Sequence, residues 1–535
     1  MDCTARFLPY SETKQFSSLV LDYIDQHNDL TGFYNHFPSA DGFKKAVEER
    51  KKFKTDRGPL VEAILQTHAS KPLSKLQSTN LEALKQDNTF TVCTAHQPNI
   101  FSGYLYFIYK TLHAVSLAET LNKQMPDAHF VPIFYIGSED NDLDELSQIN
   151  LDGQKLKWET KQTGAVGRMK VDKGLIALVH RMEGRLGVEA HGPAIMDIIK
   201  DSYTEGVTIA EATFRLLNHL FAEHGLLILQ PDRASLKKQM IPIFRDDLNT
   251  HLPYHLVERS RAELTTSYKV QVNPREINLF YLEDGTRQRI LKKDQVFIVD
   301  GTHKEFTQDE IMAELDNHPE KFSPNVVLRG IFQETILPNI AFIGGGSETA
   351  YWLELKNLFE HYQVPFPVLV LRNSYVLVSD MQETMLQKTG WKVEDLFQSD
   401  FELMNKLVKK QSEHILSLER EISAIKQLYA TIRSNASVID ETLDKHVSAI
   451  EKRTLTHLES LEKKMLRAEK RKFEAEQRQL QKLKSSLFPN NGLQERVENI
   501  LPYYAKYGKG IIDCILKHSP AMDMQFGIIR LSDPA

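Results

Sequence analysis

Five short apolar runs divide the chain between residues 89 and 371, and each ends in glycine, proline or a polar cluster before helical periodicity resumes. Thr89 to Thr94 leads into His96-Gln97-Pro98-Asn99, and Phe130 to Ile136 leads into an acidic loop. Leu226 to Leu229 precedes Gln230-Pro231-Asp232, Ile340 to Ile343 precedes three glycines, and Val368 to Leu371 precedes Arg372-Asn373-Ser374. Short apolar strands alternating with helical segments predict a mostly parallel α/β sheet. In such sheets ligands bind beyond the carboxyl ends of the strands, where these polar clusters fall.

The alternation is interrupted twice. Amphipathic segments near Gly174–Leu186 and Ile209–Phe221 make residues 155–222 a helical connecting subdomain. Asp284-Gly285, between the β-rich Phe280-Tyr281-Leu282 and Arg289-Ile290-Leu291, predicts a hairpin in a second connecting subdomain over 245–322. The core then comprises 1–154, a strand and turn at 223–244, and 323–390. A long stretch beyond it lacks both helix breakers. The chain has 25 Gly and 21 Pro, yet none lies in 391–488, where the chain average gives about eight. Leu418, Ile422 and Ile425, then Leu443, Val447 and Ile450, then Leu458, Leu461 and Met465 recur at spacings of three and four. These features predict an antiparallel coiled-coil arm over 391–488, with its turn at Ser434-Asn435-Ala436-Ser437, followed by a segment 489–535 returning to the core.

Composition narrows the class. A length of 535 residues suggests three or four domains. With 66 basic and 72 acidic residues there is no global positive field for nucleic acid. No run approaches the ~18 apolar residues of a membrane span, and the first twenty residues lack the apolar core of a signal peptide, so a soluble, cytoplasmic protein is expected. Cys3, Cys93 and Cys514 are odd in number and too far apart to suggest a disulfide framework or a metal ribbon. No metal site is expected.

Three clusters carry candidate chemistry. His96, Gln97 and Asn99 are the catalytic candidates, with Gly103 and Lys110 forming an anion or nucleotide platform at a helix start. The competing reading is a strand-ending turn whose histidine caps local backbone. The loop after the second run packs five carboxylates into residues 139–145, and Glu139, Asp140 and Asp142 are candidates for a substrate ammonium group. It fails as a calcium loop, because Glu145 stands where the turn needs Gly and Leu151 where it needs Glu. Its competing reading is a solvated helix cap. Gly344, Gly345, Gly346 and Ser347 allow close backbone approach to an anion, with Glu348, Tyr351 and Trp352 beside them for substrate. This is neither the dinucleotide fingerprint nor a P-loop, and a tight structural turn competes with it. Gln333, Glu334, Arg372 and Asn373 complete the substrate-binding candidates.

Several of these segments together resemble the cysteine-adding enzymes of bacillithiol biosynthesis. The resemblance rests on His96-Gln97-Pro98-Asn99 with Gly103 to Lys110, and on Val131 to Ile136 followed by Glu139-Asp140. It continues through Leu328 to Leu337-Pro338, Gly344-Gly345 and Glu348 to Trp352, and closes with Asn499 to Tyr504 and Gly508. It implies a Rossmann-like core with connecting subdomains, a homodimer through the coiled coil, and a ligase joining cysteine to glucosaminyl-malate. Amide formation needs an activated carboxylate, so ATP, with magnesium, is an expectation from ligase chemistry that no nucleotide motif carries. A nucleotidyltransferase-like enzyme on another small molecule and a non-catalytic coiled-coil scaffold remain as alternatives. By region, residues 451–485 hold 11 basic and 6 acidic side chains, a local +5 that leaves −11 elsewhere. That division suggests an acidic core suited to receiving an amine.

Overall fold

The computed structural model describes residues 1–412, 414 and 416–533. They form two compact units, one of residues 1–380 and 492–535 and the other of residues 381–491. Length alone suggests more, but segments distant in sequence pack together in the first unit, residues 492–535 returning to 1–380.

The five apolar runs are the five strands of one parallel sheet: β1 (Thr89–His96), β2 (His129–Ile136), β3 (Leu227–Leu229), β4 (Asn339–Gly344) and β5 (Val368–Leu371). Their spatial order is β5-β4-β1-β2-β3, with every neighbouring pair parallel. Nearly every strand residue is buried, which is why the runs are continuously apolar rather than alternating. Cys93, Val131, Leu229 and Phe342 pack on one face, and Val92, Phe130, Ile343 and Val370 on the other. The chain leaves β1 toward β2 and β3, then returns to the other side of β1 for β4 and β5. Strand order therefore reverses between β1 and β4, the switch point where open α/β sheets place their ligands.

Three helices follow these strand ends or lie beside them: α1 (Leu105–Gln124), α2 (Val326–Ile336) and α3 (Gly346–Leu353). Phe101, Ser102 and Gly103 all have positive φ, and this left-handed run turns the chain from β1 into α1. At Gly103 an added Cβ would lie 2.9 Å from the Asn99 side chain, so glycine is required there. Elsewhere in this unit, Lys173–Leu186, Gly192–Ser202 and Ile209–Phe221 are helices, and Leu279–Glu283 pairs antiparallel with Thr286–Lys293 across Asp284-Gly285. Cys3–Leu8, Phe526–Leu531 and Ser374–Ser379 form a further sheet joining both ends of the chain.

That joining corrects the cysteine reading. Cys3 and Cys514 form a disulfide, with Cα atoms 6.3 Å apart across 511 residues of sequence. Cys93 is free and buried in β1.

The second unit contains two long helices, α4 (Glu419–Ile439) and α5 (Leu443–Lys470). Tyr429 pairs with Thr454 at 2.9 Å and Arg433 with Glu451, so the helices run antiparallel. The turn is not at Ser434–Ser437. Those residues continue α4, and the chain reverses at Asp440, whose side chain accepts the Thr442 N–H at 2.7 Å. Ser and Asn are tolerated late in an exposed helix, whereas an extended Asp that captures a following amide ends it. Among the described residues no helix is long and apolar enough to cross a membrane.

Candidate active site

A cavity of about 430 Å³ opens at the carboxyl ends of β1, β2 and β4. That volume lies within the range of small-molecule sites.

One wall comes from β1 and α1. His96 ends β1, and its Nε2 lies 3.4 Å from the Tyr106 hydroxyl, with the ring edge-on to Tyr106 and Phe107. Burial, reinforced by Lys110, Arg372 and Arg329, pushes the imidazole well below its usual range. His96 is therefore neutral near pH 7, suited to hydrogen bonding with an oxygen and poor at taking a proton from an ammonium group. Gln97 donates to Asp140 at 3.2 Å, bridging to the next wall.

The second wall is the loop after β2, fastened to β1 by the Gly137 N–H on the His96 carbonyl at 2.8 Å. Glu139 and Asp140 line the cavity, as does Glu145. Glu139 is in direct contact with Lys237, which also lies 3.3 Å from Asp232, and Arg168 grips Asp232 through two bonds of 2.7 and 2.9 Å. Against burial, Lys237 and Arg168 hold Asp232 down to about 2, while burial raises the Glu139 carboxyl despite Lys237. Among the described residues neither Asp140 nor Glu145 forms an ion pair. Burial and the neighbouring Asp142 and Asp140 raise the Glu145 carboxyl.

The third wall is the turn after β4, with Gly345, Gly346, Ser347, Glu348 and Tyr351, and Arg372 after β5. The Arg372 N–H donates to the Gly344 carbonyl at 2.7 Å, and its guanidinium stacks 5.2 Å from the Tyr106 ring centre while bonding Glu495 at 2.7 Å. From α2, Arg329 reaches Gln333 at 3.3 Å and touches the Tyr351 hydroxyl. Arg287 and Arg496 complete four arginines on the lining.

Several predicted residues lie elsewhere. Asn99 and Gly103 are buried in the turn into α1 and do not reach the cavity. Lys110 is fully buried behind the wall, bonded to Ala95 and Glu348. Asp142 caps the short helix Leu143–Leu146 by accepting the Glu145 N–H at 3.0 Å. Gly344 is the last residue of β4, and Trp352 is a core ring 4.5 Å from that of Phe342. Gln333 and Glu334 lie on α2, where Gln333 and Asn339 each donate to Glu334 at 2.8 Å, and burial pushes that carboxyl up to about 7. Asn373 donates to Ser519 at 2.7 Å and Pro520 at 3.0 Å, away from the cavity. A polar residue near a strand end meets the ligand space only if its side chain faces that way; Asp142, Gln333 and Asn373 are spent on local bonds, whereas the buried Asn99 amide meets no hydrogen-bond partner among the described residues. The acidic picture also changes, because four arginines share the lining with the carboxylates. Arg329 carried a signal, a lone charge in the otherwise apolar opening turns of α2. Arg287, Arg496 and Lys237 had none, since long-range packing brings them here.

The chain matches the description "Bacillithiol biosynthesis BshC, N-terminal Rossmann-like domain" over residues 3–373 and "Bacillithiol biosynthesis BshC, C-terminal coiled-coil domain" over residues 375–531. It belongs to the BshC family. Relatives across the family's full length include proteins of Flavobacterium johnsoniae, 36% identical over 98% of this chain and 99% of the relative, and of Flavobacterium psychrophilum, 38% identical over the same shares. A third, from Christiangramia forsetii, is 35% identical over 98% of both chains. All three carry the name "Putative cysteine ligase BshC". The switch-point cavity lies within the BshC Rossmann-like region, with Arg496 contributed from the segment that follows the helical arm.

Proposed function

We propose that this chain is a ligase that joins the carboxyl carbon of L-cysteine to the amino group of glucosaminyl-malate, forming the amide of bacillithiol. The observation that carries this reading is the mixed lining at the switch point. Arg329, Arg372 and the neutral His96 share it with Asp140 and Glu145, neither of which has an ion-pair partner among the described residues. Such a cavity suits reactants that bear carboxylates and an amine together. The guanidinium groups receive carboxylate or phosphate oxygens, and the carboxylates receive the ammonium group.

Carboxylate activation is the chemistry ATP supplies, and Arg329, Arg372 and the first-turn amides of α3 are the groups that would hold its phosphates. Magnesium would arrive with the phosphates; among the described residues no three His, Cys, Asp or Glu side chains are placed to hold a metal ion. As the C–N bond forms, the acyl carbon's bond to the leaving oxygen of the activated carboxylate breaks and that oxygen departs with the electron pair, while the amine sheds a proton that Asp140 or Glu145 accepts. His96 donates a hydrogen bond to the oxygen on which charge develops.

Mass spectrometry of the purified chain with cysteine and glucosaminyl-malate, with and without ATP, tests the reading. Bacillithiol is the expected product, and release of AMP or ADP identifies the activation route. Its absence under every condition overturns the proposal. The same reading places the chain in the cytoplasm as a homodimer through the helical arm, which leaves Leu428, Ile432, Val438, Ile439 and Leu461 exposed. Sedimentation of a monomer at micromolar concentration would refute the dimer.

A further inference from the structure

Lys110 lies on α1 with its side chain 1% exposed, outside the cavity lining. Its Nζ donates to the Ala95 carbonyl at 2.6 Å and to Glu348 Oε2 at 2.9 Å. The same Oε2 accepts the Gly345 N–H at 2.9 Å. One ammonium and one carboxylate oxygen thus join the end of β1, helix α1 and the turn after β4. These are the two sides of the switch point. Ala95 immediately precedes His96, and Gly345 immediately precedes the first turn of α3, so the link spans the cavity from behind.

We propose that Lys110 is a positioning residue of this site: acting through Glu348, it holds the Gly345 turn and the first turn of α3 in register with His96. A buried ammonium is retained only when its donors are met, and here both acceptors are parts of the cavity frame. Arginine would carry the same charge on a broader, planar head, and methionine would keep the volume and lose both bonds. The charge is also felt at the imidazole. His96 faces Tyr106 and Phe107 from α1, and the cations acting on it are Lys110, Arg372 from the β5 exit and Arg329 from α2, with Glu348 paired to Lys110.

The inference rests on the ligase reading for its kinetic readout alone. The full-length chain is compared with Lys110→Met and with Lys110→Met/Glu348→Gln, in which no unpaired carboxylate remains. Hydrogen–deuterium exchange of a peptide covering residues 340–350 reads the link without any activity. Exchange about tenfold faster or more at Gly345 is expected in both variants. The kcat for amide formation is expected to fall about tenfold or more in both, with the acid limb of its pH profile moving toward neutrality in Lys110→Met, where the cation is lost and the carboxylate kept. Thermal stability is expected to recover in the double variant without recovery of kcat. Unchanged exchange in Lys110→Met overturns the proposal, as does a double variant that regains kcat with its stability. If neither variant folds, Lys110 is a folding residue and the proposal falls. A wild-type chain without ligase activity refutes the functional reading and leaves the exchange result to decide the link.

Discussion

Lys237 meets both Glu139 and Asp232 within the cavity wall, with its own side chain wholly buried. A single ammonium therefore compensates the first carboxylate of the acidic loop and a carboxylate from the β3 exit 93 residues later in the chain. This ties β2 and β3 together at their carboxyl ends. It also removes Glu139 from the groups free to receive a substrate cation.

Lys237→Met strips two buried carboxylates of their shared partner, leaving only Arg168 on Asp232. A loss of about 3–5 kcal/mol is expected in urea denaturation. Adding Glu139→Gln should recover a large part of it, because one buried charge disappears with its partner. Strictly additive losses would show that the pair is not coupled.

Arg329→Lys keeps the charge and loses the fork that reaches Tyr351 and Gln333. If the guanidinium receives a carboxylate or phosphate oxygen, kcat/KM for amide formation falls about 10–100-fold. Steady-state kinetics with cysteine as the varied substrate measures this. Wild-type kcat/KM would exclude Arg329 from contact with the reactants.

Glu498, which accepts a bond from the Tyr503 hydroxyl, is pushed by burial up to about 7 from the ordinary 4.5. The folded state then holds a proton that the unfolded chain has released between those two values. The stability tied to this group is present below pH 4.5 and is lost as pH rises toward 7, an effect of about 3 kcal/mol. Glu498→Gln should flatten that part of the stability–pH curve. A curve identical to wild type would refute the assignment.

Thiol titration of the denatured, unreduced chain is expected to find one reactive cysteine, Cys93, and three after reduction. Reduction should lower stability by up to about 5 kcal/mol, since the bond closes nearly the whole chain into one loop. Three free thiols before reduction would contradict the Cys3–Cys514 pairing.

Much of the frame is legible from local pattern. The strands β1 to β5 are buried on both faces, so each appears as an unbroken apolar run, and the polar exits mark their carboxyl ends. His96, Asp140, Glu348 and Arg372 sit at those exits and line the cavity. Asn99 and Asn373 sit at the same exits and do not, because a strand end tells which residues are near the ligand space and not which way each side chain turns. The arm was legible from missing helix breakers, whereas its turn depended on whether Asp440 or Ser434–Ser437 captured a following backbone amide.

The sequence by itself determined the periodic features: a parallel α/β core, its polar strand ends, and a long helical hairpin. These depend on residue spacing within one element, which a linear pattern records. Only the tertiary structure decided which charges meet. The pairing of Lys237 with Glu139, the Lys110–Glu348–Gly345 link, the four arginines of the cavity and the Cys3–Cys514 bond all join residues from separate elements. Their energies depend on burial and on distances of a few ångströms, and no spacing along the chain encodes either.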